Sequence, residues 1–206
     1  MKETRAPTAE QARVAQTIGS LFNNFDDSLA AEISKNSPSL MEESFVWLRA
    51  SLGECGDGEP MVVRNESRAR YIYPCERGQL EAEFAIDADT GKIPGMFMGA
   101  RGVPLEDAVR AAAEAVMRLF DAWDPELFRR TFNGDKFDME DTKELLVETR
   151  SEFGACTLGE PDLVSARGAL IHLNCEQAVR LMKVELGPLD DDRIRILWID
   201  NPRPNR

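Results

Sequence analysis

The residues of this chain whose type and spacing most directly suggest chemistry are its four cysteines. Cys55 and Cys75 return as Cys156 and Cys175, at offsets of 101 and 100 positions. Each pair lies in one cassette. The first reads Gly53-x-Cys55, Glu59-Pro60 and Cys75-Glu76; the second reads Gly154-x-Cys156, Glu160-Pro161 and Cys175-Glu176. Thiols placed in this way can be oxidised to Cys55–Cys75 and Cys156–Cys175, each disulfide closing a loop of about 20 residues. Pairing across the two cassettes is the alternative connectivity, and four buried thiols acting as small apolar groups are the alternative chemistry. Zinc is disfavoured, because the chain has no close Cys-x-x-Cys pair and His172 is its single histidine.

Charged residues are duplicated with the cysteines. Arg49 and Arg150 occupy matching helical positions beside an apolar stripe, where a guanidinium wants a carboxylate. Glu76, Glu176, Asp26 and Asp124 are the repeated acidic candidates. Together with Trp47, whose counterpart is Glu148, Arg49, Arg150, Glu76 and Glu176 form a candidate binding set. An internal ion pair that holds the geometry of each copy is the structural alternative. Asp26 or Asp124 could serve as a catalytic base if an apolar cavity raised its pKa. His172 lies in the apolar run Leu170–Leu173 without a counterpart, which suits a structural role. There is no glycine-rich phosphate loop and no Gly-x-Ser-x-Gly elbow. No cofactor is expected.

The repeated cassette implies that the 206 residues comprise two copies of one module, residues 1–104 and 105–206, with residues 1–8 loose. In the first copy Val14, Ile18, Leu21 and Phe22 share one helical face, and Leu29 and Ile33 suggest a short second helix. Asn36-Ser37-Pro38 breaks the pattern, and Ser39 with Glu42 reads as a capping box for a helix that runs to Leu52. Beyond Cys55 the period changes to two. Strands are expected at 61–63, 70–74, 79–87 and 93–98, and again at about 162–165, 168–174, 178–186 and 193–199. Helices followed by an antiparallel meander make each copy α+β. Met96-Phe97-Met98 and Ile196–Ile199 are apolar on both strand faces and predict a sheet covered on both sides.

A helix ending in Leu21-Phe22-x-x-Phe25-Asp26, or Leu119-Phe120-x-x-Trp123-Asp124, leads to a helix closed by Gly-x-Cys. Cys-Glu follows at a strand end, then Asp89-Thr90-Gly91-Lys92-Ile93 in the first copy. This pattern resembles the small cystatin-like, NTF2-like domains that bacteria attach to serine hydrolases and other secreted proteins. The resemblance implies a curved sheet wrapped around helices and an apolar pocket, used for catalysis in some relatives and for binding in others. In this chain Phe22, Phe25, Phe45, Leu48 and Phe84 would line it.

The net charge of −12 is spread over both halves and disfavours nucleic acid and anionic membrane surfaces as partners. No apolar run approaches the roughly 20 residues of a membrane span. The first residues lack the apolar core of a signal peptide. If the cysteines are oxidised the protein belongs in the periplasm or outside the cell, with its leader absent from this chain; if they are reduced it is cytoplasmic. The expected function is non-enzymatic binding of a small apolar ligand or a protein partner, with a homodimer as one form of assembly. The alternative is an isomerase- or hydrolase-like enzyme.

Overall fold

The computed structural model describes residues 6–188 and 190–200, excepting the side chain of Leu40. The chain divides into two compact units, Met1–Val103 and Pro104–Arg206. The first contains α1 (Ala9–Asn23), α2 (Asp27–Ile33) and α3 (Pro38–Leu52), then β1 (Glu59–Val63), β2 (Arg68–Cys75), β3 (Gly78–Ala85) and β4 (Met96–Arg101). The second contains α4 (Asp107–Asp121), α5 (Pro125–Thr131) and α6 (Met139–Phe153), then β5 (Cys156–Ser165), β6 (Gly168–Cys175), β7 (Val179–Leu186) and β8 (Ile194–Ile199). Helices of 15, 7 and 15 residues therefore precede four strands in both units. Within each unit successive strands pair antiparallel. The protein is α+β.

Local sequence explains most helix boundaries. Thr8 caps α1 in a reciprocal capping box with Gln11, so it is fixed and not part of a loose tail; residues 1–5 of that expected tail lie outside the described residues. Asp26, Asp124 and Asp138 accept backbone N–H bonds at the starts of α2, α5 and α6. The start of α3 differs from expectation. Ser37 is the cap residue and makes no side-chain cap bond, while Pro38 opens the helix. Proline has no N–H to leave unsatisfied there, and its fixed φ suits the first turn. α3 and α6 end at Gly53 and Gly154, with φ of 75° and 79°.

Alternation then decides which strand residues meet the helices. In the first unit Ala69, Tyr71, Tyr73, Leu80, Ala82 and Phe84 are buried together with Val14, Ile18, Leu21, Phe22, Phe45 and Leu48. Phe45 meets Phe22 and Phe25 edge-on at 5.5 and 6.0 Å. Burying one such ring contributes about 2–3 kcal/mol. Tyr73 donates its hydroxyl to the Ala15 carbonyl at 2.8 Å, and burial pushes its phenol far above the usual range. In the second unit Val116, Leu119, Phe128, Phe132, Ile171, Leu173, Met182 and Val184 form the corresponding cluster.

The β3–β4 connection departs from the expected strand at 93–98. Ile93 forms a parallel bridge to Ser34, accepting from Lys35 N–H and donating to Ile33, before β4 begins at Met96. Phe132 and Ile194 repeat this bridge in the second unit. The end of each short helix is thereby held by backbone bonds to the last hairpin.

Candidate functional site

The duplicated cassette forms a clip at the end of the long helix. Cys55 and Cys75 are disulfide-bonded, as are Cys156 and Cys175, and no described cysteine is free. Each bridge joins directly opposed backbone positions with Cα atoms 3.9 Å apart. Glu76 and Glu176, expected in a binding set, are exposed and lie across the helix-ending glycines Gly53 and Gly154. Asn23 adds a further tie in the first unit, its side chain bonding both the N–H (2.9 Å) and the carbonyl (2.7 Å) of Cys55.

The two repeated arginines have diverged. Arg150 donates to Asp121 at 2.9 Å and to the Phe120 carbonyl at 2.8 Å, so its carboxylate is neither Asp124 nor Glu176. The residue that takes the place of Asp121 in α1 is Asn23, already committed to Cys55. Among the described residues Arg49 has no ion-pair partner, and its Nε is buried without a hydrogen-bond partner. Trp47 is partly buried on the same helix.

Asp26 and Asp124 are exposed helix caps. Asp26 accepts from Leu29 N–H at 2.8 Å, and Asp124 from Glu126 and Leu127 N–H at 2.8 and 3.2 Å. Their short side chains reach back to the backbone, which holds them at the surface; Asp26 borders an open recess whose other lining residues are Ser20, Asn24, Ser28, Leu29 and Glu32, so it stands among mostly polar side chains. Of the residues expected to line a pocket, Phe22, Phe45, Leu48 and Phe84 are buried in the core, and the half-buried Phe25 packs edge-on against Phe45. His172 sits half-buried on the helix-free face of β6, opposite Leu181.

A recess does exist elsewhere in the first unit. It has a volume of roughly 180 Å³, opens to solvent, and is lined by Met41, Met96 and Met98 with Ser34, Ser44 and Gly95 among others. Met41 comes from the first turn of α3; Met96 and Met98 lie two apart on β4, facing Phe84 and Ala82 across the ladder. The matched strand registers give the counterparts. Met96 and Met98 correspond to Leu197 and Ile199, which face Val184 and Met182. Met41 corresponds to Thr142 in the first turn of α6, and Ser34 to Phe132 at the shared bridge. Phe132 is buried, stacked on Phe128 and edge-on to Phe137. A serine in place of that ring leaves the space open.

The helix-free sheet faces differ as sharply. On the first, Glu81 is only 1% exposed and bridges Arg70 at 3.2 Å and Arg101 at 2.6 Å. Glu83 takes Arg70 at 2.7 Å and Arg68 at 3.4 Å. Arg70, Arg101, Glu81 and Glu83 thus form a half-buried ion-pair network, with the more exposed Arg68 at its edge. Gly99, opposite Glu81, carries no side chain to obstruct it. On the second face Leu170, Leu181 and Lys183 replace Arg70, Glu81 and Glu83. Val179, Ile196 and Trp198 there are 60%, 36% and 48% exposed, and Phe97 on the first face is 45% exposed. The sheet was expected to be covered on both sides, yet the outward side chains of β4 and β8 are left partly exposed.

Neither feature emerged from reading the chain, although a signal for the network was present. A turn that sets Cys75 opposite Gly78 also sets Arg70 opposite Glu83 and Ile72 opposite Glu81. Among the described residues no three His, Cys, Asp or Glu side chains cluster as a metal site. No described helix is long and apolar enough to cross a membrane. Comparison with protein-family models, with curated proteins and with solved structures gave no match.

Proposed function

We propose that the protein is a non-enzymatic binding protein of an oxidising compartment, the periplasm or the cell exterior. In this reading its two units are tandem cystatin-like, NTF2-like modules, and a protein partner seats on the helix-free sheet face of the second. The observation that carries the proposal is the replacement of an ion-pair network by apolar side chains at matched positions. Leu181 stands where Glu81 is, Leu170 where Arg70 is, and Trp198 where Phe97 is. Exposed tryptophan and isoleucine beside leucine make an apolar centre, and Lys183, Glu185 and Arg195 give it a charged rim. That composition suits a protein interface, where aromatic residues anchor the centre and charge is kept to the edge.

Two further observations support binding over catalysis. The aspartates considered as bases are exposed caps bonded to backbone N–H groups. Of the aromatic residues considered as pocket lining, Phe22, Phe45 and Phe84 are core. The two disulfides support the compartment, since such bonds persist where thiols are not held reduced.

A photocrosslinking residue at position 198 tests the reading in extracts of the exported fraction, followed by reconstitution with the purified crosslinked protein. The expected result is one saturable partner whose affinity falls at least 100-fold on Ile196→Lys and is unchanged by Phe97→Glu. Concentration-dependent self-association would make a second copy the occupant. Equal loss with both variants, or no crosslink at position 198, would remove the face as a binding site.

A further inference from the structure

We propose that the recess of the first unit is a binding site for a soft monovalent metal ion, Cu(I) or its analogue Ag(I), held by the thioether sulfurs of Met41, Met96 and Met98. The inference is independent of the protein-partner reading, which concerns the other unit.

Donor chemistry comes first. Thioethers are neutral, polarisable donors that prefer Cu(I) over hard or borderline divalent ions. Among the described residues the recess lining contains no carboxylate, imidazole or thiol; its other polar side chains are Ser34, Asn36 and Ser44. Calcium, magnesium and zinc therefore have no suitable donor set there. Every described cysteine is in a disulfide, so no described thiol competes for the ion. A thioether also carries no proton near neutral pH, so binding would persist in mildly acidic solution where a histidine site weakens.

Placement comes second. Met96 and Met98 lie on the same side of β4, two residues apart, and Met41 approaches from α3, so three thioethers border one space. Methionine has three rotatable side-chain bonds, which allow the sulfurs to converge on an ion. Its usual structural use is to fill irregular gaps, yet here a gap of roughly 180 Å³ stays open beside three of them. The sister unit provides the control. All three positions lack methionine there, carrying Thr142, Leu197 and Ile199, and Phe132 occupies the place of Ser34. The three donors are thus present in the unit that has the recess, and at the matched positions of the other unit they are replaced while Phe132 takes the place of Ser34.

The test uses the oxidised full chain, titrated with Ag(I) in chloride-free buffer, and with Cu(I) under anaerobic conditions against a chromophoric Cu(I) chelator. Carbon-13-labelled methionine methyl groups report which side chains respond. One ion per chain is expected, with shifts confined to Met41, Met96 and Met98. Met41→Leu/Met96→Leu/Met98→Leu conserves volume and apolar character, and should weaken binding at least 100-fold without lowering the melting temperature by more than a few degrees. Ser34→Phe should also abolish binding by filling the space. Met61→Leu, outside the recess, should leave it intact. If the triple variant fails to fold, the methyl shifts of the unaltered chain and the Met61→Leu comparison still decide. No binding, or shifts at methionines outside the recess, would overturn the assignment, as would binding retained by the triple variant.

Discussion

Glu76 lies across the α-carbon of Gly53: a β-carbon built on that glycine would stand 3.1 Å from the Cβ of Glu76 and closer still to its carboxylate. Glu176 repeats the contact at Gly154, with a Cβ separation of 3.0 Å. Both glycines also have positive φ. The repeated Gly-x-Cys and Cys-Glu motifs are therefore two sides of one clip between a helix end and a strand end. Gly53→Ala and Gly154→Ala should each lose about 1–3 kcal/mol, from the strained backbone and from displacement of the glutamate. Glu76→Ala combined with Gly53→Ala should recover only the steric part. Urea unfolding of the four proteins measures this directly.

The disulfides should contribute substantially to each unit. Loops of about 20 residues correspond to roughly 3 kcal/mol per bridge on chain-entropy grounds. Cys55→Ala/Cys75→Ala and Cys156→Ala/Cys175→Ala should each lower the unfolding midpoint. Intact mass with and without reductant should differ by four hydrogens. Four thiols open to alkylation in the unreduced native protein would refute both bridges.

Glu81 makes the first sheet face depend on charge balance. Its carboxylate is nearly fully buried, whereas Arg70 and Arg101 are about one-quarter exposed, so water screens part of the interaction. Glu81→Gln should cost about 2–3 kcal/mol, because two guanidinium groups lose their shared counter-charge. Arg70→Leu/Glu81→Leu copies the matched pair Leu170 and Leu181. That double variant should be more stable than the sum of its single changes implies, as a double-mutant cycle can show.

Two hairpin aspartates should shape acid unfolding. The Lys35 ammonium, followed by the hydroxyl and N–H of Thr90, holds Asp87 down to about 2. Asp191 is held to about 2 by the side chain and backbone N–H of Arg193, with Asn133 adding to it. Each folded-state pKa lies below the ordinary aspartate value, so the stabilisation is present above about pH 4 and is lost as pH falls toward 2. Melting temperatures recorded from pH 5 to pH 2 should fall less steeply for Asp87→Asn and Asp191→Asn than for the unaltered chain. Identical slopes would show that these carboxylates contribute nothing to acid sensitivity.

Much of the architecture was legible in the chain because it depends on near neighbours. The helical spacing of Val14, Ile18, Leu21 and Phe22, the alternation in β3, and the stop at Gly53 are local properties of backbone and side chain. The duplicated cassettes pointed to Cys55–Cys75 and Cys156–Cys175 but left pairing across the cassettes open, and only the folded chain, which sets each pair at opposed backbone positions, decides it. Asp26 and Asp124 were legible as repeated carboxylates but not as caps. Their role depends on which backbone N–H lies within reach of a short side chain, and that is settled only when the helix start is placed.

What tertiary structure decided was the contents of the space between elements. Phe22, Phe45 and Phe84 could line a pocket or fill a core, and only their packing distinguishes the two. The recess arises because Ser34 meets Ile93 where Phe132 meets Ile194, a difference in volume between residues brought together by distant segments. The ion-pair network forms for the same reason. Arg70, Glu81 and Arg101 come from three strands, and a carboxylate becomes buried between guanidinium groups only once sheet register has brought them within bonding distance.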